Sequence, residues 1–206
     1  DTARSYRTHA GGPDTKPCEL PQAVAILAGL CPADIETELL TRLASANNGL
    51  VQTTLSQSLY KFQALLRHPY LHGAGVAQAI AGDWGRMLLA GATSFWETQS
   101  GAWDFGAAGS LCHGWSSLPL WFQGAWRLGV RPLGPGFSSF SVDPCVAPLP
   151  GLTGEIPTPR GPIRIEWLGV DGDGRFKARL NHPACLRPVP ATGVSLEATT
   201  YKPEDT

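Results

Sequence analysis

The chain has 206 residues, 43% of them hydrophobic and 16% charged, with a formal net charge of −1. That length bounds one large or two small domains with a sizeable core, and the near-neutral balance leaves no basic footprint for nucleic acid or anionic lipid. No apolar run reaches the roughly 18 residues that span a bilayer, so no membrane partner is expected.

The polar opening DTARSYRTHAGGPDTKP starts on Asp1 rather than Met, so the chain is expected to be a processed product or a piece of something longer. Helical patterning then begins. CELPQAVAILAGL (18–30) places Leu20, Ala23, Val24 and Leu27 at i, i+3, i+4 and i+7, and Gly29 and Pro32 stop it. Asp34 is a candidate N-cap for the next helix, which turns Ile35, Leu39, Leu40 and Leu43 to one face. Thr54 or Ser56 can cap LSQSLYKFQALLRH, with Leu55, Leu59, Phe62 and Leu66 inward. Residues 74–92 repeat the pattern with Val76, Ile80, Trp84 and Leu88, and SLPLWFQGAWRLGV (117–130) is the last amphipathic segment. Trp84, Trp121 and Trp126 fall at helical spacing and read as core.

After RPLGPG (131–136) the period changes to two. FSSFSVDP, GPIRIEWLGV, GRFKARLN and VSLEATTYK alternate as strands, and GDG at 172–174 makes a hairpin turn. The fold class is therefore mainly α with a C-terminal β domain. Residues 1–133 form the helical part, and residues 134–206 form a small antiparallel β-sheet or sandwich. D-G-D-G (171–174) lacks the later ligands of a calcium loop, and His9, His68, His72 and His182 have no metal-ligand spacing, so no metal is expected. The five Cys include no C-x-x-C. They fit either a secreted protein with one or two disulfides (Cys18–Cys31, Cys145–Cys185) and a leftover thiol, or a set of free thiols.

One stretch concentrates chemistry: GATSFWETQSGAWDFGAAGSLCHGWSSLP (91–119). Glu97 follows Phe95 and Trp96. Burial against flat rings suits a carboxyl for general acid or base work, and the rings offer a stacking surface for a sugar. The bland alternative is an ion-paired acid at a helix end. His113 could donate to a substrate hydroxyl or sit as a satisfied core histidine. Trp103 and Trp115 are further stacking candidates, and Asp104 could bind a hydroxyl or be an exposed loop acid.

The run GATSFWE, then SLCHGW, then LGVRPLGPGFSSFSVDP, then GEIPTPRGPIRIEW resembles the C-terminal part of the α-L-rhamnosidases of glycoside hydrolase family 78. Cys112 in SLCHGW looks more like the fungal branch. The resemblance implies an (α/α)6 barrel followed by a β-sandwich, and hydrolysis of terminal α-L-rhamnosyl linkages with inversion. It makes Glu97 the catalytic general base and Trp96 and His113 substrate-binding residues, with no cofactor. The expected ligand is a rhamnose-containing glycoside or polysaccharide, and a secreted location is expected with it.

Inversion needs two carboxyl groups about 6.5–9.5 Å apart. The resemblance implies an acid from an upstream Asp- and Arg-rich motif, and nothing here resembles that motif. Glu19, Glu36 and Glu38 lie on periodic helices without an aromatic surround. The chain thus reads as the second half of a barrel, whose partner is the upstream half of the same enzyme. An open seam of several hundred Å² would otherwise cost on the order of 10 kcal/mol. The competing expectation is a non-catalytic sugar-binding or structural module that keeps the fold without the acid. A lyase-like toroid fits less well, because Tyr6, Tyr60, Tyr70 and Tyr201 all lie away from these motifs.

Overall fold

A computed structural model describes residues 4–8, 16–144 and 150–202; His9 and Cys145 lie outside the described residues. The chain forms two compact units, Asp1–Pro119 and Leu120–Thr206. Leu128 already belongs to the core of the second, so this division falls earlier than the change of period near residue 133.

The first unit is helical, with α1 (Glu19–Leu27), α2 (Ala33–Ala44), α3 (Ser58–Leu65) and α4 (Pro69–Leu89). α1 packs on α3, and α2 touches α1, α3 and α4. Of the expected inward residues, Leu39, Leu40, Leu43, Leu55, Phe62 and Leu66 are buried, Ile35 and Leu59 are half-buried, and Leu65 is buried in addition. On α1 the expected face is rotated: Val24 is exposed and Gln22 is fully buried. Gln22 can go inside because its amide is satisfied. It accepts from the Tyr6 amide at 2.7 Å and donates to the Tyr6 and Cys18 carbonyls. On α4, Met87 is buried in place of Leu88, while Val76, Ile80 and Trp84 are inward as expected. Arg67 links three helices, donating to the Ile26 carbonyl at the end of α1 and pairing with Glu36 of α2.

Two capping expectations change. Pro32 occupies the N-cap of α2, and Asp34 sits inside the first turn, ion-paired with Arg4. Residues 54–57 form a turn ahead of α3, which starts only at Ser58. Cys18, Cys31, Cys112 and Cys185 are free thiols, so the Cys18–Cys31 disulfide considered from the sequence does not form.

The expected helix over 117–130 is shorter. α6 (Leu118–Phe122), which follows the four-residue α5 (Asp104–Ala107), runs into a π-helical turn, Gln123–Arg127. The turn closes through Leu128 N–H to the Gln123 carbonyl at 2.8 Å. Gly129 then takes φ +79°, where a Cβ would meet the Asp143 carbonyl carbon at 2.6 Å. Trp121 is exposed rather than core. Arg131 fastens this corner. It donates to the Ala125 and Asp143 carbonyls, pairs with the Asp143 carboxylate at 2.5 Å, and stacks 4.5 Å over the Trp126 ring.

The second unit holds two sheets, ordered β1-β2-β6 and β3-β4-β5-β7. The strands are β1 (Val130–Pro132), β2 (Ser139–Val142), β3 (Leu152–Ile156), β4 (Ile163–Val170), β5 (Phe176–Pro183), β6 (Arg187–Pro190) and β7 (Val194–Tyr201). The alternation of β4 sends Ile163, Ile165 and Trp167 inward, and they share one core with Val130, Phe140, Val142 and Leu180 from both sheets. The expectation of an antiparallel sheet is corrected: β2–β6 and β5–β7 are parallel pairs. After β5 the chain leaves its sheet, lays β6 beside β2, and returns as β7 running in the direction of β5. A parallel pair requires such a crossover.

Candidate active site

The two motifs that flank the Gly-rich loop are brought together. Glu97 N–H donates to the Ser110 carbonyl at 2.9 Å, and His113 N–H donates to the Phe95 carbonyl at 2.7 Å. The Ser94 hydroxyl adds a bond to the Leu111 carbonyl. Residues 94–97 and 110–113 therefore lie side by side, and the loop between them closes on itself. The closure depends on small residues. A Cβ on Gly109 would stand 2.0 Å from the Gly101 carbonyl oxygen, and one on Gly101 would meet the Trp96 ring at 2.7 Å. The Trp96 indole thus packs against the loop backbone directly behind Glu97.

Glu97 is half-buried, and its Oε2 accepts the Ser110 amide at 3.2 Å. Among the described residues it has no ion-pair partner, unlike the ion-paired acid of the bland alternative. It borders a cavity of about 630 Å³ in the helical unit, whose wall also includes Glu19, Lys61, Asp83, Arg86 and Gln99. Trp96 and His113 are not in that wall. His113 is half-buried, with its ring edge-on to Trp115 at 5.8 Å between centroids. Trp103 and Trp115 are 84% and 81% exposed. Asp104 is half-buried in the loop.

The wall contains two charged clusters. Glu19, 1% exposed, receives Lys61 Nζ at 2.5 Å, Asn48 Nδ2 at 2.6 Å and the Thr53 amide at 2.9 Å. Four donors, with the Thr53 hydroxyl, occupy its oxygens. Asp83 Oδ1 accepts Arg86 Nη2 and Gln99 Nε2, both at 2.7 Å. The second bond ties α4 to the segment that carries Glu97. Sequence reasoning passed over Lys61, Asp83, Arg86 and Gln99. The signal for Asp83 was present: it is the single acid of α4 and precedes Trp84, as Glu97 follows Trp96. The Lys61–Glu19 pair left no local trace, because its partners are far apart in the chain. Among the described residues no group of three or more His, Cys, Asp or Glu could hold a metal ion.

Residues 129–188 match the family described as the bacterial alpha-L-rhamnosidase C-terminal domain. The chain resembles the C-terminal part of a family 78 α-L-rhamnosidase. Among solved structures, the GH78 family rhamnosidase of Bacillus sp. GL1 aligns with a TM-score of 0.76 and 26% identity over 98% of this chain. This chain spans 22% of the length of that rhamnosidase. A comparison with curated proteins gives no match. Both matches point to the same kind of protein, an α-L-rhamnosidase, as what this chain resembles. The matched stretch 129–188 holds the Gly129–Arg131 corner and strands β1 to β5, with β6 beginning at its end.

Proposed function

We propose that these residues form the base-bearing C-terminal portion of an inverting glycoside hydrolase that releases terminal α-L-rhamnose from rhamnosylated glycans or glycosides. One observation carries the reading: the Glu97 carboxylate, which among the described residues has the Ser110 amide as its hydrogen-bond partner and no cation, borders an open cavity of ligand size. A base must reach its water and must not be consumed by a cation. In this reading Glu97 takes the proton from a water on the face opposite the leaving group. The resemblance to the rhamnosidases adds Trp96 and His113 as substrate contacts, outside the wall of this cavity.

The opposing acid comes, on this reading, from chain outside these 206 residues, and the helical unit is the second half of an (α/α)6 barrel. Both other carboxylates of the cavity wall, Glu19 and Asp83, are already bound to cations, which supports an acid from elsewhere. So do the large apolar side chains on the surface of the helical unit, including Tyr70, Leu71, Leu88 and Leu89 on α4, which range from 72% to 91% exposed.

The test is the stereochemistry of the product. Proton NMR of a full-length enzyme acting on 4-nitrophenyl α-L-rhamnopyranoside should show β-rhamnose first, before mutarotation. Initial α-rhamnose would reject inversion. Rhamnose binding without any release would favour the non-catalytic module.

A further inference from the structure

We propose that Asp83 and Trp84, consecutive residues of α4, are positioning residues for the site: Asp83 holds the segment that carries Glu97, and Trp84 holds the segment that carries His113. The proposal rests on the reading of Glu97 as the base.

The two segments are bound to each other, through Glu97 N–H to the Ser110 carbonyl and His113 N–H to the Phe95 carbonyl. Those bonds fix the segments mutually and leave the pair free to shift as one body against the helices. A base has to meet its water to within about 0.5 Å, so the pair needs a second constraint.

Helix α4 supplies it at two adjacent residues. Asp83 Oδ1 accepts Gln99 Nε2 at 2.7 Å, two positions after Glu97, and a charged acceptor makes such a bond a strong one. Arg86 Nη2 meets the same oxygen at 2.7 Å, while Arg86 Nε donates to the Gly82 carbonyl of the same helix. The carboxylate is thus oriented by its own helix before Gln99 reaches it. Trp84 Nε1 donates to the Ser116 carbonyl at 2.8 Å in a buried bond. Ser116 N–H donates in turn to the His113 carbonyl at 3.0 Å, so the turn that Trp84 holds begins at His113.

Neighbouring residues on a helix point about 100° apart. Trp84 therefore goes into the core at 6% exposed, while Asp83 stays half-buried at the cavity wall. One turn of α4 reaches both segments for that reason.

Kinetics of the full-length enzyme on 4-nitrophenyl α-L-rhamnopyranoside tests the proposal. Gln99→Ala should lower kcat about tenfold and leave KM within about twofold, because it loosens the base and not the substrate contacts. Asp83→Ala should do the same, and the double variant should fall no further, since each removes the same bond. Asp83→Asn keeps an oxygen for the Gln99 amide and should recover most of the loss. Trp84→Phe keeps a ring without the N–H and should raise KM instead, through His113. Gln99 is exposed, so its variant keeps the fold and decides the proposal even where the Trp84 variant does not fold. Wild-type kcat in Gln99→Ala, or no recovery in Asp83→Asn, overturns the proposal. An unchanged KM in a folded Trp84→Phe enzyme rejects the Trp84 arm. Glu97→Gln separates the two levels. An inactive Glu97→Gln beside an unimpaired Gln99→Ala rejects the positioning alone, whereas wild-type turnover in Glu97→Gln rejects the base and the positioning with it.

Discussion

The Lys61 ammonium stands 2.5 Å from the Glu19 carboxylate, in the wall of the cavity that Glu97 borders. The pair joins the start of α1 to α3, and Asn48 and Thr53 complete it. With Glu19 1% exposed, removing the cation alone strands a charge away from water. Lys61→Met should therefore destabilise the helical unit by about 3–5 kcal/mol. The double variant Glu19→Gln, Lys61→Met should recover most of that loss, because no charge is then left unpaired. Urea unfolding of the three proteins checks both statements.

The closure of the loop between Gly101 and Gly109 makes a second prediction. A methyl on Gly109 cannot stand 2.0 Å from the Gly101 carbonyl oxygen, so the loop must open. Ser110, whose amide holds Glu97, follows directly. Gly109→Ala should cut kcat about tenfold or more through misplacement of Glu97. Gly106→Ala is the control. Its φ of +67° makes alanine strained by about 1–2 kcal/mol, but nothing lies within 4 Å of the new methyl. Its kcat should stay near wild type.

How much of this was legible follows from where each signal lives. The Leu39–Leu40–Leu43 face of α2 and the Ile163–Ile165–Trp167 alternation are local, and they read correctly; on α3 Phe62 is inward as expected, with Leu65 buried where Leu59 was expected. Val24 misled because a satisfied Gln22 took its place, and the satisfaction comes from Tyr6, outside the helix. β6 is Arg-Pro-Val-Pro, a composition that argues against a strand; it is tolerated because it lies at the edge of the β1-β2-β6 sheet. The parallel pairings were unreadable, since a strand's alternation says nothing of its neighbour's direction. At the site, Glu97 was visible through its aromatic neighbours. Asp83 carried the same signal and was absorbed into a core helix.

Asp171 gives a prediction with a pH signature. It organises the turn between β4 and β5, accepting the Asp173 and Arg175 amides on Oδ1 and the Ser195 hydroxyl of β7 on Oδ2. The Arg175 amide foremost, then Ser195 and Asp173, hold its carboxyl below its ordinary value. A depressed pKa contributes stability that is present above the unfolded value and lost as pH falls through the folded one. Asp171→Asn should thus lower the urea midpoint at pH 7, and the gap should close below about pH 4, near the ordinary carboxyl value. A gap of constant size would assign the effect to hydrogen-bond geometry alone.

Glu97 remains the centre of the account, and steady-state kinetics of Glu97→Gln in the full-length enzyme tests it most directly. The amide keeps an oxygen for the Ser110 N–H but cannot take a proton from water. With 4-nitrophenyl α-L-rhamnopyranoside, kcat should fall by about a hundredfold or more while KM changes little. A variant that turns over at close to the wild-type rate would contradict the assignment of Glu97 as the base.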